Sequence, residues 1–195
     1  CEFFAWFEQN GVTRAVTELE VDEQITAARA RRPHFISPSF GTIAAFGPNG
    51  AMPHYQATPD SYSEITGDGL LLIDSGGQYA GGTTDITRVV PVGTPTAEQK
   101  KDYTLVLKGM ISLSMAVFAK GVTGQQLDVV ARMPLWQAGL DFGHGTGHGV
   151  GYFLNVQEGP QSISWRTRPG AQPQPLQLGM ITSNEPGLYL ANQWG

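Results

Sequence analysis

Cysteine is almost absent from this sequence of 195 residues, and long apolar runs and an excess of basic charge are absent altogether. The single cysteine, Cys1, excludes an internal disulfide framework and is typical of a reducing compartment. No apolar run approaches the roughly 18 residues that a membrane-spanning helix needs. The net charge of −5 disfavours nucleic acid or an anionic membrane as a partner, because both usually require a basic face. We therefore predict a cytoplasmic globular protein that binds neither.

The composition is that of an ordinary folded protein, with 41% hydrophobic and 15% charged residues. The length suffices for one sizeable core. Both ends look internal to a longer chain: position 1 is not Met, residues 2–7 look like the middle of an amphipathic helix, and residues 192–195 stop where a turn should lead into a further strand. We therefore expect residues 1–195 to be one partial domain, incomplete at both ends.

Local patterns predict interleaved helices and strands, and hence a mixed α and β class. Thr17, Thr96 and Thr123 are each followed three residues later by Glu or Gln, the capping-box pattern that opens a helix. Residues 161–177 are rich in Gln and Pro and are predicted to form a surface loop.

A hairpin with two aspartates is predicted in the middle of the sequence. Residues 70–73 are a continuous apolar run typical of a strand covered on both faces, and residues 84–90 would return antiparallel to it. A symmetric hairpin would place Asp74 opposite Asp85, with Cβ atoms about 5 Å apart on one face. Two carboxylates so close together require a proton or a cation between them. Both residues could also simply cap turns, and this pair alone leaves both interpretations open.

Two histidines lie in a glycine-spaced segment, residues 143–151, in which five of nine residues are glycine. So many glycines disfavour a helix, and in an extended chain His144 and His148 would share one face. The flanking glycines would let another backbone or a ligand approach closely. The segment lacks the G-x-G-x-x-G spacing and the lysine of phosphate-binding loops. A lone histidine is more often a core residue, but two framed in this way, of only four in the chain, favour a functional site.

A glutamate and a third histidine complete the set of candidates. Glu185 ends a predicted final strand, residues 178–185, where it needs either solvent or a hard divalent cation as a partner. His54 follows a predicted turn at residues 47–50. Carboxylates with one or two imidazoles suit Mn, Co, Zn or Fe(II) better than a structural zinc, which would require cysteines. Sites of this composition commonly hold two metal ions that share a hydroxide nucleophile.

Six ordered motifs resemble aminopeptidase P, the Xaa-Pro aminopeptidase of the M24 "pita-bread" metallopeptidases, a family that also includes prolidase, methionine aminopeptidase and creatinase. The His-Gly-Thr-Gly-His and Asn-Val-x-Glu-Gly-Pro motifs indicate the Xaa-Pro branch of that family. The six motifs occupy residues 47–55, 74–77, 83–88, 144–151, 155–160 and 182–187.

The resemblance implies an α+β pita-bread fold, with a curved, antiparallel-rich sheet flanked by helices. Residues 1–195 would be part of its catalytic metallopeptidase domain, without the family's N-terminal domain and without a last bridging glutamate that would lie just past Gly195. The resemblance also implies two divalent metal ions, with Mn preferred over Co or Zn. The implied metal ligands are Asp74, Asp85, His148 and Glu185.

In this family Asp85 would bridge the two metal ions and Glu185 would also move a proton. His54 and His144 would hold the substrate and help to stabilise the tetrahedral intermediate. The chain departs from the family at Gln157, where the pattern has histidine. Because Gln can donate a hydrogen bond but cannot carry a charge or shuttle a proton, the expectation is weakened catalysis with metal binding intact.

The implied activity is hydrolysis of the bond between an N-terminal residue and a following proline, so the expected partner is a peptide with proline at its second position. A homodimer is an expectation from the resemblance only. Two alternatives remain: prolidase, which would use the same site on dipeptides, and a catalytically weakened pseudoenzyme that acts as a binding module. Gln157 favours the second alternative, whereas four retained ligands disfavour it.

Overall fold

The computed structural model describes residues 2–11, 13–166, 170 and 172–195, and it divides into two compact units. Unit 1 comprises Cys1–Thr96, Tyr152–Leu154 and Tyr189–Gly195, and unit 2 comprises Ala97–Gly151 and Asn155–Leu188. Cys1 and part of the predicted loop, residues 167–169 and 171, lie outside the described residues. The expectation of a single catalytic domain over residues 1–195 stays a prediction.

The described part of unit 1 consists mainly of short antiparallel strands with two α-helices and a 3-10 helix. Its elements are α1 (Glu2–Asn10), β1 (Val16–Thr17), α2 (Glu18–Ala30), β2 (Phe35–Pro38), β3 (Ile43–Phe46), the 3-10 helix Gly47–Ala51, β4 (Glu64–Ile65), β5 (Gly69–Ser75), β6 (Gly77–Tyr79), β7 (Gly82–Thr83) and β8 (Ile86–Val92).

Helix α2 begins and ends where its sequence predicts. The side chain of Thr17 caps the helix by accepting a 3.1 Å hydrogen bond from the backbone N–H of Glu20. Val21, Ile25 and Ala28 lie on one buried stripe at helical spacing and join the core of unit 1 together with Leu71 and Ile73. The capping-box prediction at Thr17 is therefore confirmed.

Strand β5 is the central strand of the sheet β3-β5-β8, and it pairs antiparallel with both neighbours. The predicted antiparallel return of the chain is confirmed. The connection is longer than a plain hairpin, because β6 and β7 lie between β5 and β8. Strand β6 pairs with β2 and β7 pairs with β6, which gives a second three-stranded sheet. Every strand pairing among the described residues is antiparallel.

The described part of unit 2 contains α3 (Ala97–Ser114), α4 (Gly124–Trp136), β9 (Gly147–His148) and β10 (Ser162–Ile163). Helices α3 and α4 pack very closely, because a Cβ atom on Gly109 would lie 2.2 Å from the carbonyl oxygen of Ala131. The predicted starts of both helices are confirmed, and Gln126 accepts a 2.9 Å hydrogen bond from the backbone N–H of Thr123 at the start of α4. Strand β10 lies within the predicted loop 161–177, so that loop is in part regular structure.

The predicted final strand over residues 178–185 is wrong as a regular strand. Leu178 and Gly179 form a turn, with Gly179 at φ = +90°, and Thr182 makes only an isolated bridge to Gly149. The later part of the segment is nevertheless held like a strand, since the backbone N–H of Ser183 donates to the carbonyl of His148 over 2.8 Å.

None of the helices among the described residues combines the length and the apolarity that a membrane crossing needs.

Candidate active site

In unit 2, His148 and Glu185 face each other from two adjacent extended segments. His148 ends β9, and the backbone N–H of Glu185 donates a 2.8 Å hydrogen bond to the carbonyl of Thr146. This register puts the two side chains on one face, where His148 Nε2 and Glu185 Oε1 are 3.0 Å apart. Ser183 supports both residues: its Oγ accepts from the backbone N–H of His148 over 2.8 Å and donates to Glu185 Oε1 over 2.5 Å.

Glu185 is held by contacts with both His148 and Ser183, and its pKa reflects these contacts. Burial by itself would raise the pKa of Glu185, but hydrogen bonds from His148 and Ser183 and the charges of His148 and His144 oppose burial and lower the pKa overall. The side chain is therefore a carboxylate at neutral pH. An ionised oxygen donor beside an imidazole is the chemistry that a divalent transition metal requires.

The orientation of the His148 ring also fits metal ligation. Its Nδ1 lies 2.9 Å from the carbonyl oxygen of Gly149, an acceptor for an Nδ1 proton, and Nε2 is the ring nitrogen that faces Glu185. A metal-ligating histidine usually donates its second ring N–H to a carbonyl or carboxylate in this way. These residues therefore fit a divalent metal ion.

The glycines beside His148 permit close approach of other backbone segments. A Cβ atom on Gly147 would lie 2.1 Å from the carbonyl oxygen of Ser183, and one on Gly149 would lie 1.9 Å from that of Glu158. The prediction that glycine admits another backbone here is confirmed. Only residues 147–148 form a regular strand, and His144 lies in a bend.

His144 is half-buried and is held by its own segment. Its Nδ1 lies 2.7 Å from the carbonyl oxygen of Gly145, and its ring packs against Phe142 with 4.9 Å between ring centroids. It is close enough to Glu185 to contribute to the lowered pKa of that carboxylate. The structure therefore brings His144, His148 and Glu185 together in unit 2.

In unit 1, Asp74 and Asp85 are not directly opposite, so that prediction is wrong. Asp74 pairs with Thr87 on β8 and with Ile43 on β3, and Asp85 lies two residues before Thr87. Alternation along an extended chain would put Asp85 on the same face as Thr87, diagonal to Asp74. The last pair of this ladder is Ser75 with Ile86, so Asp85 falls in the connection that contains β6 and β7. Both aspartates are half-buried.

Neighbours of both aspartates are anchored by hydrogen bonds that the sequence did not reveal. Arg29 of α2 donates to the backbone oxygen and to Oγ of Ser75, next to Asp74, over 3.1 and 2.9 Å. The hydroxyl of Ser39 donates to the carbonyl of Thr84, next to Asp85, over 2.8 Å. Neither partner belongs to a recognisable motif.

His54 and Gln157, the remaining predicted residues, lie on the surface. His54 is an exposed turn residue that immediately precedes the buried Tyr55. Gln157 is exposed in a bend after Asn155, whose Nδ2 donates to Glu158 Oε2 over 3.3 Å. Their proposed roles stay predictions.

Two buried carboxylates were missed by the sequence analysis, Glu18 at the start of α2 and Asp128 within α4. Both have side chains with almost no exposed surface, and both accept several hydrogen bonds. A glutamate in a first helical turn is normally exposed, so the position of Glu18 in the sequence does not indicate that it is buried. The i, i+4 spacing of Asp128 and Arg132 was visible in the sequence, although such pairs are usually solvated.

The complete chain, residues 1–195, matches the family of M24 metallopeptidases, so this chain belongs to metallopeptidase family M24. It is 45% identical over 196 residues to a protein of Paracoccidioides brasiliensis (strain Pb18) described as a probable Xaa-Pro aminopeptidase P. That alignment covers all of this chain and 32% of the relative, so the chain spans about a third of the length of the curated relatives it matches.

The structural comparison gives the same family. The X-prolyl aminopeptidase of Caenorhabditis elegans, described as a cytosolic enzyme with a di-nuclear active site, superposes with a TM-score of 0.92 and 39% identity, covering 99% of this chain and 31% of that one. A prolidase from Thermococcus sibiricus superposes with a TM-score of 0.82 and 32% identity, covering 98% and 49%. The resemblance to M24 peptidases and the α+β pita-bread fold are confirmed.

Proposed function

We propose that this chain forms metal-binding machinery of a proline-specific aminopeptidase, which hydrolyses the bond between an N-terminal residue and a following proline. The observation that supports the proposal most is the His148–Glu185 pair, with its 3.0 Å separation, its lowered glutamate pKa and its oriented imidazole. Xaa-Pro aminopeptidases are among the relatives at 45% identity, which supports the same reaction.

In this proposal two divalent metal ions are held by Asp74, Asp85, His148 and Glu185, with Mn preferred over Co or Zn. When bound, the ions supply Lewis acidity that polarises a carbonyl and lowers the pKa of water. Glu185 is ionised at neutral pH and can accept a proton from water and pass it to the leaving amine. His54 and His144 hold the substrate and stabilise charge on its carbonyl oxygen.

The substrate class follows from the same relatives. We expect a peptide with a free amino terminus and proline at its second position. A cytoplasmic location, in keeping with the cytosolic enzyme of C. elegans, and a homodimeric state are part of this proposal.

Prolidase activity is the second candidate, because a prolidase superposes on nearly the whole chain with a TM-score of 0.82. A prolidase should cleave Xaa-Pro dipeptides and reject tripeptides, whereas an aminopeptidase should cleave tripeptides. A binding module is the third candidate, and the exposed Gln157 at the family's histidine position favours it.

The test uses two proteins, because the chain spans about a third of its relatives. One is the chain as printed, and the other is the C. elegans enzyme with its matching segment replaced by this chain. Mn content after dialysis and hydrolysis of an Xaa-Pro dipeptide and an Xaa-Pro-Xaa tripeptide are measured for both. His148→Asn is the test variant, and His34→Asn, at a histidine outside the site, is its matched control.

For the hybrid, the expected results are two Mn ions per chain and tripeptide cleavage, both lost in His148→Asn and retained in His34→Asn. Cleavage of the dipeptide alone would favour prolidase. Metal binding without cleavage would favour the binding module, and the absence of metal from both proteins would overturn the proposal.

A further inference from the structure

The α4 side chains Asp128 and Arg132 form a buried ion pair that the proposed reaction does not use. Arg132 has no exposed surface and Asp128 is 1% exposed. Nε of Arg132 donates to Asp128 Oδ2 over 2.6 Å, and Nη2 donates to Oδ1 over 3.3 Å. A buried ion pair of this kind is weak evidence for a role in stability, since apolar residues of similar volume can often replace such a pair without loss of stability. What else the pair binds is therefore informative.

The remaining donors of Arg132 all point at the segment that begins the glycine-spaced histidine motif. Nη1 donates to Asp141 Oδ1 over 2.8 Å and to the carbonyl of Phe142 over 2.6 Å, and Nη2 donates to the carbonyl of His144 over 2.7 Å. The five N–H groups of the guanidinium thus all have acceptors. The guanidinium also stacks on the Phe142 ring, 3.8 Å from its centroid.

Asp128 also binds this segment directly, through its Oδ1. The hydroxyl of Thr146, which is fully buried, donates to Asp128 Oδ1 over 2.6 Å. The carbonyl of Thr146 in turn accepts from the backbone N–H of Glu185 over 2.8 Å. A chain of hydrogen bonds therefore runs from α4 through Thr146 to the carboxylate residue of the site.

The segment needs such an external support. Residues 143–146 form neither a helix nor a strand, and Gly143 and Gly145 give them little conformational restriction of their own. Contacts to α4 therefore determine where the backbone of His144 lies and how the chain leads into β9, which carries His148. The Arg132 guanidinium is planar and is carried by a rigid helix, so its donors can fix the positions of the acceptor carbonyls accurately.

We propose that Asp128, Arg132 and Thr146 are positioning residues, which fix the backbone of residues 142–146 so that His144 and His148 are oriented toward Glu185 and a bound metal. This inference rests on the proposed function. Outer partners of metal ligands typically contribute 10- to 100-fold in metal affinity or activity.

The experiment compares Thr146→Val with Thr146→Ser in the chain as printed and in the C. elegans hybrid. Valine keeps the shape and removes the hydroxyl, whereas serine keeps the hydroxyl. Thr26→Val is the matched control, because Thr26 donates a similar 3.2 Å hydrogen bond to Asp22 on α2. Mn affinity is measured by titration, hydrogen exchange at the amides of residues 143–149 by mass spectrometry, and kcat and KM on the tripeptide where activity is present.

Thr146→Val should weaken Mn binding roughly 10- to 100-fold, speed exchange in residues 143–149 and lower kcat more than KM changes. Thr146→Ser should restore all three, and Thr26→Val should resemble the parent. Equal behaviour of Thr146→Val and Thr26→Val, or no rescue by serine, would overturn the inference. If the parent proteins lack activity or metal, the proposed function fails on its own test, and hydrogen exchange with serine rescue still decides whether α4 positions the segment.

Discussion

The hydroxyl of Tyr55 donates a 2.7 Å hydrogen bond to the carboxylate of Glu18, a side chain with no exposed surface at the start of α2. The same carboxylate accepts from the backbone N–H groups of Phe46 and Ser63 over 2.6 and 2.7 Å. Burial and then the negative charge and hydrogen bond of Glu18 raise the pKa of Tyr55 above its usual range. Through these hydrogen bonds Glu18 holds both ends of residues 46–63, the segment that contains His54, against α2.

Glu18→Gln should lower the free energy of unfolding by about 3 kcal/mol, because one carboxylate oxygen is replaced by a donor that faces other donors. Urea unfolding followed by circular dichroism measures the change. Glu20→Gln is the matched control on the same helix, since its ion pair with Arg14 is at the surface and contributes little to stability. Equal losses in the two variants would contradict the central role of Glu18.

Gly147→Ala should destabilise unit 2 by about 1–3 kcal/mol and weaken metal binding, because the new Cβ would collide with the carbonyl oxygen of Ser183. Gly143→Ala is its control: it lies in the same motif, and a Cβ there meets nothing within 4 Å. Thermal unfolding and Mn titration of both variants test this pair. If both alanines proved equally harmless, the close approach at Gly147 would not be a constraint.

Asp141→Asn should destabilise the protein at neutral pH and have no effect in acid. Burial raises the pKa of Asp141, but hydrogen bonds from the backbone of Phe142 and from Arg132 outweigh burial, so the folded-state pKa is lower than the unfolded-state value. A lowered carboxyl pKa contributes stability above the unfolded pKa, and this contribution disappears as pH falls through the folded pKa. Because the Asp141 side chain is 53% exposed, we expect only about 1 kcal/mol.

Urea unfolding of Asp141→Asn and the parent at pH 7, 5 and 3 measures that difference. The two curves should differ at pH 7 and pH 5, and the difference should be smaller at pH 3, which lies below the ordinary aspartate pKa of about 3.9. A constant difference across this range would mean that the shape of the side chain, and not its charge, is what Asp141 contributes.

Gln157→His should raise kcat on the Xaa-Pro-Xaa tripeptide without changing the Mn stoichiometry, because histidine can carry a charge and shuttle a proton where Gln only donates a hydrogen bond. The comparison uses the C. elegans hybrid described above. Gln56→His, at another exposed glutamine, controls for the addition of an imidazole. An unchanged kcat would remove the reason for regarding Gln157 as a weakened catalytic position.

Local features could be predicted from the sequence because they depend on neighbouring residues. Thr17 and Thr123 cap their helices, and residues 70–73 lie in the central strand β5. The prediction that Asp74 lies opposite Asp85 was wrong, because a symmetric hairpin takes no account of β6 and β7, which pair elsewhere. The predicted strand over residues 178–185 was also wrong as a regular strand, because Leu178 and Gly179 form a turn.

By itself, the sequence determined the family, the identities of the candidate metal ligands and the helix starts, since these depend on residue type and short spacing. Only the tertiary structure decided the two-residue offset of the aspartates, the 3.0 Å approach of His148 to Glu185 and the partners of Glu18 and Arg132. Those contacts join residues that are distant in sequence. Their geometry follows from how helices and strands pack, and no local pattern contains that information.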